Sequence, residues 1–140
     1  MALRTERSVF YHIPKTGGMW VEAAMREAGL DCTPCPEDRG HPWRLIGRHA
    51  TPDGVSDEDG FSFAFVRHPL GWYRSFWAYR VMLRNSSPHD GKGVLPPDAC
   101  WAEDFEAFVV RCVEAHPSGW VSALYRCYLG DEGDQLDFVG

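Results

Sequence analysis

The chain has 140 residues, a formal net charge of -6, 44% hydrophobic residues and 14% aromatic residues. The length fits a single domain, and the composition is that of a globular chain rather than a disordered one. The negative charge argues against a general nucleic-acid binder, because no overall basic field would attract phosphates.

The charge is unevenly distributed along the chain. Residues 61–84 contain four arginines and no carboxylate, which indicates a local anion site in an acidic protein. The first residues lack the apolar core of a signal peptide, and no apolar run reaches transmembrane length, so we expect no membrane span. The five cysteines are then expected to be reduced thiols of a cytoplasmic protein.

The N-terminal elements are a strand, a glycine turn and a helix. Apolar residues predict a strand over Val9–Ile13, and Pro14 ends its hydrogen-bond ladder. A helix is predicted over Val21–Ala28, with Gly29 as its stop. The spacing of Trp20, Ala24 and Ala28 predicts the inner face of this helix.

The turn between these two elements has the composition of an oxyanion site. Gly17 and Gly18 let backbone N–H groups approach an anion, and the helix N-terminus faces it with the positive end of its dipole. Lys15 adds a positive charge. The stretch does not fit the Walker A pattern, because the lysine precedes the glycines and no Gly-Lys-Ser/Thr follows.

The next segment is loop-rich. Cys32 and Cys35 form a C-x-x-C pair, which we interpret as ordinary loop cysteines; zinc binding would need further ligands such as His41 or His49, and a redox role would need a helix N-terminus. A short second strand or extended segment is predicted over Arg44–His49. An acidic connection follows over Thr51–Gly60.

The middle of the chain repeats the strand-to-helix junction. Phe61–Val66 is a nearly continuous apolar run, typical of a buried strand. Arg67 follows it, and Pro69 suits the start of the next helix, Leu70 to about Arg84. The residues predicted to share the inner face of this helix are Leu70, Tyr73, Trp77 and Val81, with Arg80 elsewhere.

Two more helices and a strand are predicted in the C-terminal half, over Asp104–Ala115, Trp120–Leu129 and Leu136–Val139. The alternation of strands and helices predicts an α/β fold with a parallel sheet and helices packed on it. In such sheets, ligands bind at the carboxyl ends of the strands. Lys15 and Arg67 both follow predicted strands, so we expect them at that edge.

Two motifs resemble those of sulfotransferases that use 3′-phosphoadenosine-5′-phosphosulfate (PAPS). The sequence of residues 13–18, Ile-Pro-Lys-Thr-Gly-Gly, resembles the family's 5′-phosphosulfate loop. Residues 65–77, with Arg67 and Ser75 eight positions apart, resemble its 3′-phosphate motif. The resemblance covers roughly residues 8–84, and both motifs stand in the family's order at a strand-to-helix junction.

The resemblance implies a single three-layer α/β/α domain, similar to the P-loop nucleotide hydrolases, with PAPS as donor, 3′,5′-ADP as product and no metal. It assigns Arg67 and Ser75 to the 3′-phosphate. The 5′-phosphosulfate is assigned to residues of the loop and helix start, with the last three acting through backbone N–H groups: Lys15, Thr16, Gly17, Gly18, Met19 and Trp20. Met19 stands where the family usually has Thr or Ser, so backbone groups carry more of the binding.

The catalytic roles implied are charge neutralisation and proton removal. Lys15 would stabilise the leaving phosphate, and His49 resembles a histidine that some carbohydrate 2-O-sulfotransferases carry before the 3′-phosphate strand. An imidazole with a pKa near 7 suits a base. His49 could equally be a loop histidine bonded to backbone, His12 is interpreted as a packed histidine, and Asp57 and Glu58 are fallback bases.

Three functions follow as hypotheses. The first is a sulfotransferase acting on a hydroxyl of a carbohydrate or small metabolite. The others are a PAPS or 3′,5′-ADP-binding module without turnover and a small phosphotransferase. Family members continue beyond the position of Gly140, so we expect a short or truncated member, or a homo-oligomer or partner that completes the pocket.

Overall fold

The computed structural model describes residues 2–35, 49–54, 60–86 and 98–140. They form two compact units, one comprising Met1–Val66 with Tyr125–Gly140 and the other Arg67–Leu124. The predicted strand over Arg44–His49 lies outside the described residues except for His49, which is not in a strand. No helix of the described residues is long and apolar enough to cross a membrane.

The first unit is built on a five-stranded mixed sheet with the order β3-β1-β2-β4-β5. Its strands are β1 (Ala2–Arg4), β2 (Ser8–Tyr11), β3 (Thr33–Pro34), β4 (Phe61–Ala64) and β5 (Phe138–Val139). Strands β2, β4 and β5 are parallel neighbours, with Tyr11 opposite Ala64 and Phe63 opposite Phe138. The mixed α/β class is therefore as predicted.

The expectation of a wholly parallel sheet is wrong, because β1 runs antiparallel to both β2 and β3. For β1 and β2 the reason is the short connection between them, since a tight turn joins only antiparallel strands. Thr5 makes that turn: its N–H donates to the Ser8 carbonyl at 2.8 Å, and its hydroxyl accepts from the Ser8 N–H at 3.0 Å.

The core of the first unit lies between the sheet and α1 (Gly18–Glu27). Leu3 and Phe10 of the sheet pack with Val21 and Met25 of the helix. The predicted inner face was wrong: Trp20 is 75% exposed, and the buried positions of α1 are one residue further on. Gly29 ends the helix as predicted, with a φ of 73°.

The second unit is held together by aromatic packing between α2 (Pro69–Ser86) and α3 (Phe105–Ala115). Phe76 stacks on Trp72 at 5.1 Å between ring centroids and on Phe108 at 6.4 Å. The predicted inner face of α2 is shifted here too, because Leu70 is 56% exposed and Arg80 is buried. The Arg80 guanidinium lies 6.0 Å from the centroid of the Phe76 ring.

The C-terminal elements match the predicted ones closely. Asp104 is the N-cap of α3 and its carboxylate accepts the Ala107 N–H at 2.9 Å. The predicted helix over Trp120–Leu129 is confirmed with the same bounds as α4, which begins in the second unit and ends in the first. The predicted terminal strand is shortened to β5.

Candidate functional site

The connection between β2 and α1, residues 12–17, forms a tight loop that we call the Lys15 loop. The Ile13 N–H donates to the Tyr11 carbonyl at 3.1 Å, which turns the chain immediately after the strand. The Thr16 hydroxyl donates to the Ile13 carbonyl at 2.9 Å and the Thr16 N–H reaches the same oxygen at 3.4 Å. Both donors of Thr16 are therefore used within the loop.

Two residues of the loop have left-handed backbone conformations. Gly17, the N-cap of α1, has a φ of 97°, which glycine adopts without strain. Lys15 has a φ of 68°, and it is the one non-glycine residue in the described part of the chain with a positive φ. That conformation costs about 1–2 kcal/mol for a residue with a Cβ. Strain of this kind is concentrated at functional sites.

The start of α1 presents unused backbone donors. The N–H groups of Trp20 and Val21 bond to the Gly17 carbonyl at 2.9 and 3.3 Å. Among the described residues, the N–H groups of Gly17, Gly18 and Met19 have no acceptor. The first turn of α1 also contains no acidic residue. Three donors and the positive end of the helix dipole thus favour an anion here.

Lys15 is half-buried, and burial lowers its pKa from 10.5 to about 8. At pH 7 the ammonium group is therefore still charged. A half-buried cation interacts more strongly with an anion than a fully solvated one, because less water screens it. The Met19 and Trp20 side chains next to it are 79% and 75% exposed.

His12 and His49 form a pair beside Lys15. Their rings meet edge-to-face, with 4.8 Å between centroids and an interplanar angle of 87°. Burial lowers the pKa of His12 to about 4 and that of His49 to about 3, with the charge of Lys15 adding to both shifts. The His49 pKa is thus below the value near 7 expected from the sequence, and both rings are neutral at pH 7.

His12 also contacts the helix start. An ideal Cβ placed on Gly18 would lie 1.9 Å from Cδ2 of His12 and 2.3 Å from its Cγ. Sequence reasoning treated His12 as an ordinary packed residue and missed this contact. No signal in the sequence pointed to this contact, which arises only when the loop folds back.

The second candidate region lies in the second unit, at the start of α2. Arg67 is exposed and is the first residue of the second unit, directly after Val66. Its Cγ and Cδ would lie 3.3 and 3.4 Å from a Cβ at Gly71, so its stem lies over the first turn of the helix. Ser75 is half-buried four residues after Gly71, on the same side of α2.

The predicted site residues thus fall into two groups. Lys15, His49 and the start of α1 come together in the first unit. Arg67 and Ser75 lie in the second unit, and each unit is described by itself. The fallback bases Asp57 and Glu58 lie outside the described residues.

The C-x-x-C pair flanks an edge strand. Cys32 and Cys35 lie on either side of β3 and form no disulfide, and the Cys35 N–H donates to the Ala2 carbonyl at 2.9 Å. In the described ranges, no group of three or more His, Cys, Asp or Glu side chains could hold a metal ion. His41 lies outside those ranges.

The comparisons with known proteins give no relatives. No protein-family model matches the chain, and no curated protein or solved structure is significantly similar to it.

Proposed function

We propose that this chain is a PAPS-dependent sulfotransferase with a P-loop-like fold, transferring a sulfuryl group to a hydroxyl of a carbohydrate or small metabolite. The observation that carries the proposal is the Lys15 loop. With the start of α1, it combines a half-buried lysine with a φ of 68° and three backbone N–H groups without acceptors among the described residues. This is a preorganised set of donors for a phosphate-type group.

The 5′-phosphosulfate would bind to the N–H groups of Gly17, Gly18 and Met19 and to the Lys15 ammonium. Thr16 would contribute little through its side chain, because its hydroxyl hydrogen is used by the Ile13 carbonyl. Trp20 would contribute an exposed aromatic face next to the helix start. In the second unit, the Arg67 guanidinium and the Ser75 hydroxyl would donate to the 3′-phosphate.

The transfer step needs one bond made, one bond broken and one proton moved. The acceptor oxygen attacks sulfur, the bond between sulfur and the 5′-phosphate oxygen breaks, and 3′,5′-ADP leaves with the electron pair. Lys15 would offset the negative charge that develops on that oxygen. His49, neutral at pH 7, would take the acceptor's proton; the charge of a bound phosphosulfate would raise its low pKa toward a useful range.

The test is transfer from radiolabelled PAPS to a panel of sugars, phenols and lipids. We expect transfer to at least one hydroxyl class, and we expect Lys15→Ala to abolish it. Arg26→Ala is the control, since Arg26 is an exposed cation of α1, the helix that follows the loop, and pairs with Glu22 at 3.0 Å. Turnover that survives Lys15→Ala would contradict the mechanism.

The alternative is a module that binds PAPS or 3′,5′-ADP without turnover. It is favoured by one observation: Met19 carries no hydroxyl and points into solvent, and the Thr16 hydroxyl is engaged within the loop. Stabilisation by 3′,5′-ADP without metal, combined with no transfer to any acceptor, would support this function. Stabilisation by Mg²⁺-ATP alone would instead favour a phosphotransferase.

A further inference from the structure

The His12 ring lies between the start of α1 and the His49 ring, both of which belong to the candidate site around Lys15. It contacts the Gly18 backbone at the start of α1, where no side chain would fit. It meets the edge of His49, and it stacks on Phe10 with an interplanar angle of 12° and 6.2 Å between centroids. His49 is also hydrogen-bonded to the His12 backbone.

We propose that His12 is a positioning residue, whose ring fixes both the first turn of α1 and the imidazole of His49 around Lys15. The inference rests on the proposed function for its catalytic consequence, but the contacts themselves are independent of it. The donors for the 5′-phosphosulfate begin at Gly17 and Gly18, and the candidate base is His49. A single ring that contacts both keeps the donor site and the base in one arrangement.

The ring acts through its shape rather than by carrying a proton. His12 is neutral at pH 7, and in its hydrogen bond with His49 the His12 backbone accepts from the His49 ring, a bond that every substitution retains. A flat ring of similar size should therefore replace it. A smaller side chain should leave His49 free to turn and open to water.

The steric part is tested by a double-variant cycle read as melting temperature without ligand. Gly18→Ala alone forces its Cβ into the His12 ring, and we expect the melting temperature to fall by roughly 3–8 °C. In Gly18→Ala with His12→Ala, the ring is gone and the Cβ has room. The melting temperature of the double variant should therefore fall by much less than the sum of the two single decreases. Additive losses would overturn the proposal.

The effect on His49 is tested by its imidazole NMR signal across pH 5–8. In the wild type and in His12→Phe, the signal should not titrate, because His49 stays buried. In His12→Ala, it should titrate within this range, as water reaches the ring. Titration in His12→Phe, or none in His12→Ala, would overturn the proposal. The control variant is His68→Ala, which removes an exposed histidine of the second unit.

The catalytic consequence is read as a split between kcat and KM. We expect His12→Ala to lower kcat by roughly tenfold or more and also to raise the KM for PAPS, because the ring holds both the base and the first turn of α1; His12→Phe should restore kcat. A loss confined to KM, or a loss in His12→Phe equal to that in His12→Ala, would overturn the positioning role. If the wild type shows no transfer, the proposed function fails, while melting and NMR still decide the role of His12.

Discussion

Lys15 combines two features that cost folding free energy, a left-handed backbone conformation and partial burial of its charge. Neither feature is needed to form β2 or α1, since a glycine would make the same turn without strain. Both features become useful when an anion binds, because little water screens the attraction between the anion and a half-buried ammonium. Anion binding should therefore relieve the burial penalty that lowers the pKa of Lys15.

This coupling predicts how affinity for 3′,5′-ADP depends on pH. The pKa of Lys15 is about 8, so its charge is present below that pH and lost above it. We expect affinity to be constant near pH 7 and to fall above pH 8, by up to about tenfold per pH unit. Calorimetric titration between pH 7 and 9.5 measures this, a range in which His12 and His49 stay neutral.

Lys15→Arg is the matched control for this titration. The guanidinium stays charged above pH 12, so the affinity of this variant should not fall over the same range. An equal decline in both proteins would assign the pH dependence to another group.

Met19 gives a second prediction for a single residue. Its side chain is 79% exposed in the first turn of α1, so a substitution there disturbs no packing. Met19→Thr would add a hydroxyl next to the unused N–H groups, and we expect affinity for 3′,5′-ADP to rise by about threefold to tenfold. Met19→Val has nearly the shape of Thr without the hydroxyl and should bind no better than the wild type. Equal gains in both variants would mean that the hydroxyl is not responsible.

At the scale of one element, α1 has a glycine with a positive φ at each end. Gly17 (φ 97°) and Gly29 (φ 73°) both have open space where a Cβ would be placed. Alanine at either position should therefore cost about 1 kcal/mol of stability through backbone strain alone. We expect only Gly17→Ala to weaken binding of 3′,5′-ADP, because only Gly17 belongs to the loop. Parallel melting and binding measurements would separate the two effects, and weakened binding in Gly29→Ala would show that lost stability alone explains the result.

The helices with clear end signals were predictable from the sequence. α4 has the predicted bounds because glycines with positive φ, Gly119 and Gly130, flank it. β1 was missed because three residues without periodicity become a strand only when the Thr5 turn pairs them with β2. Trp20 was expected inside because it lies at i, i+4 spacing with Ala24 and Ala28. Val21 and Met25 have the same i, i+4 spacing, and packing on the sheet decides between the two faces.

The candidate site was likewise predictable where local sequence signals determine it, and not where tertiary packing does. The Lys15 loop follows from a strand, a proline and two glycines in succession, all of which act locally. The contact between His12 and Gly18 and the low pKa of His49 arise from how separate segments pack. Sequence spacing carries no information about either of them.

The N-terminus of α3 provides a prediction about stability alone. The Asp104 carboxylate caps the helix through the Ala107 N–H. Asp104→Ala should cost about 1 kcal/mol and lower the melting temperature by roughly 3 °C. The exposed neighbour Glu103 makes no such bond in the described structure, and Glu103→Ala should leave the melting temperature nearly unchanged. Equal losses would mean that the charge of the segment, rather than the cap, is responsible.

At the scale of the whole molecule, the acidic chain keeps its candidate phosphate contacts in two separate sequence regions. Lys15 belongs to one compact unit, and Arg67 and Ser75 belong to the other. The proposed function assigns the two regions to different phosphates of one nucleotide. A substitution in either region should therefore weaken binding only of ligands that carry the phosphate assigned to that region.

Pairing variants with shortened ligands tests this assignment. 5′-AMP lacks the 3′-phosphate of 3′,5′-ADP. Arg67→Ala should therefore weaken 3′,5′-ADP binding by about tenfold to a hundredfold and leave 5′-AMP binding unchanged, because a charged hydrogen-bond pair is lost only in the first case. Lys15→Ala should weaken both ligands by the same factor. Arg74→Ala, which removes an exposed arginine of α2, should change neither. If Arg67→Ala weakened 5′-AMP as strongly as 3′,5′-ADP, the 3′-phosphate would not be its partner, and the resemblance of residues 65–77 to the sulfotransferase motif would have no functional meaning.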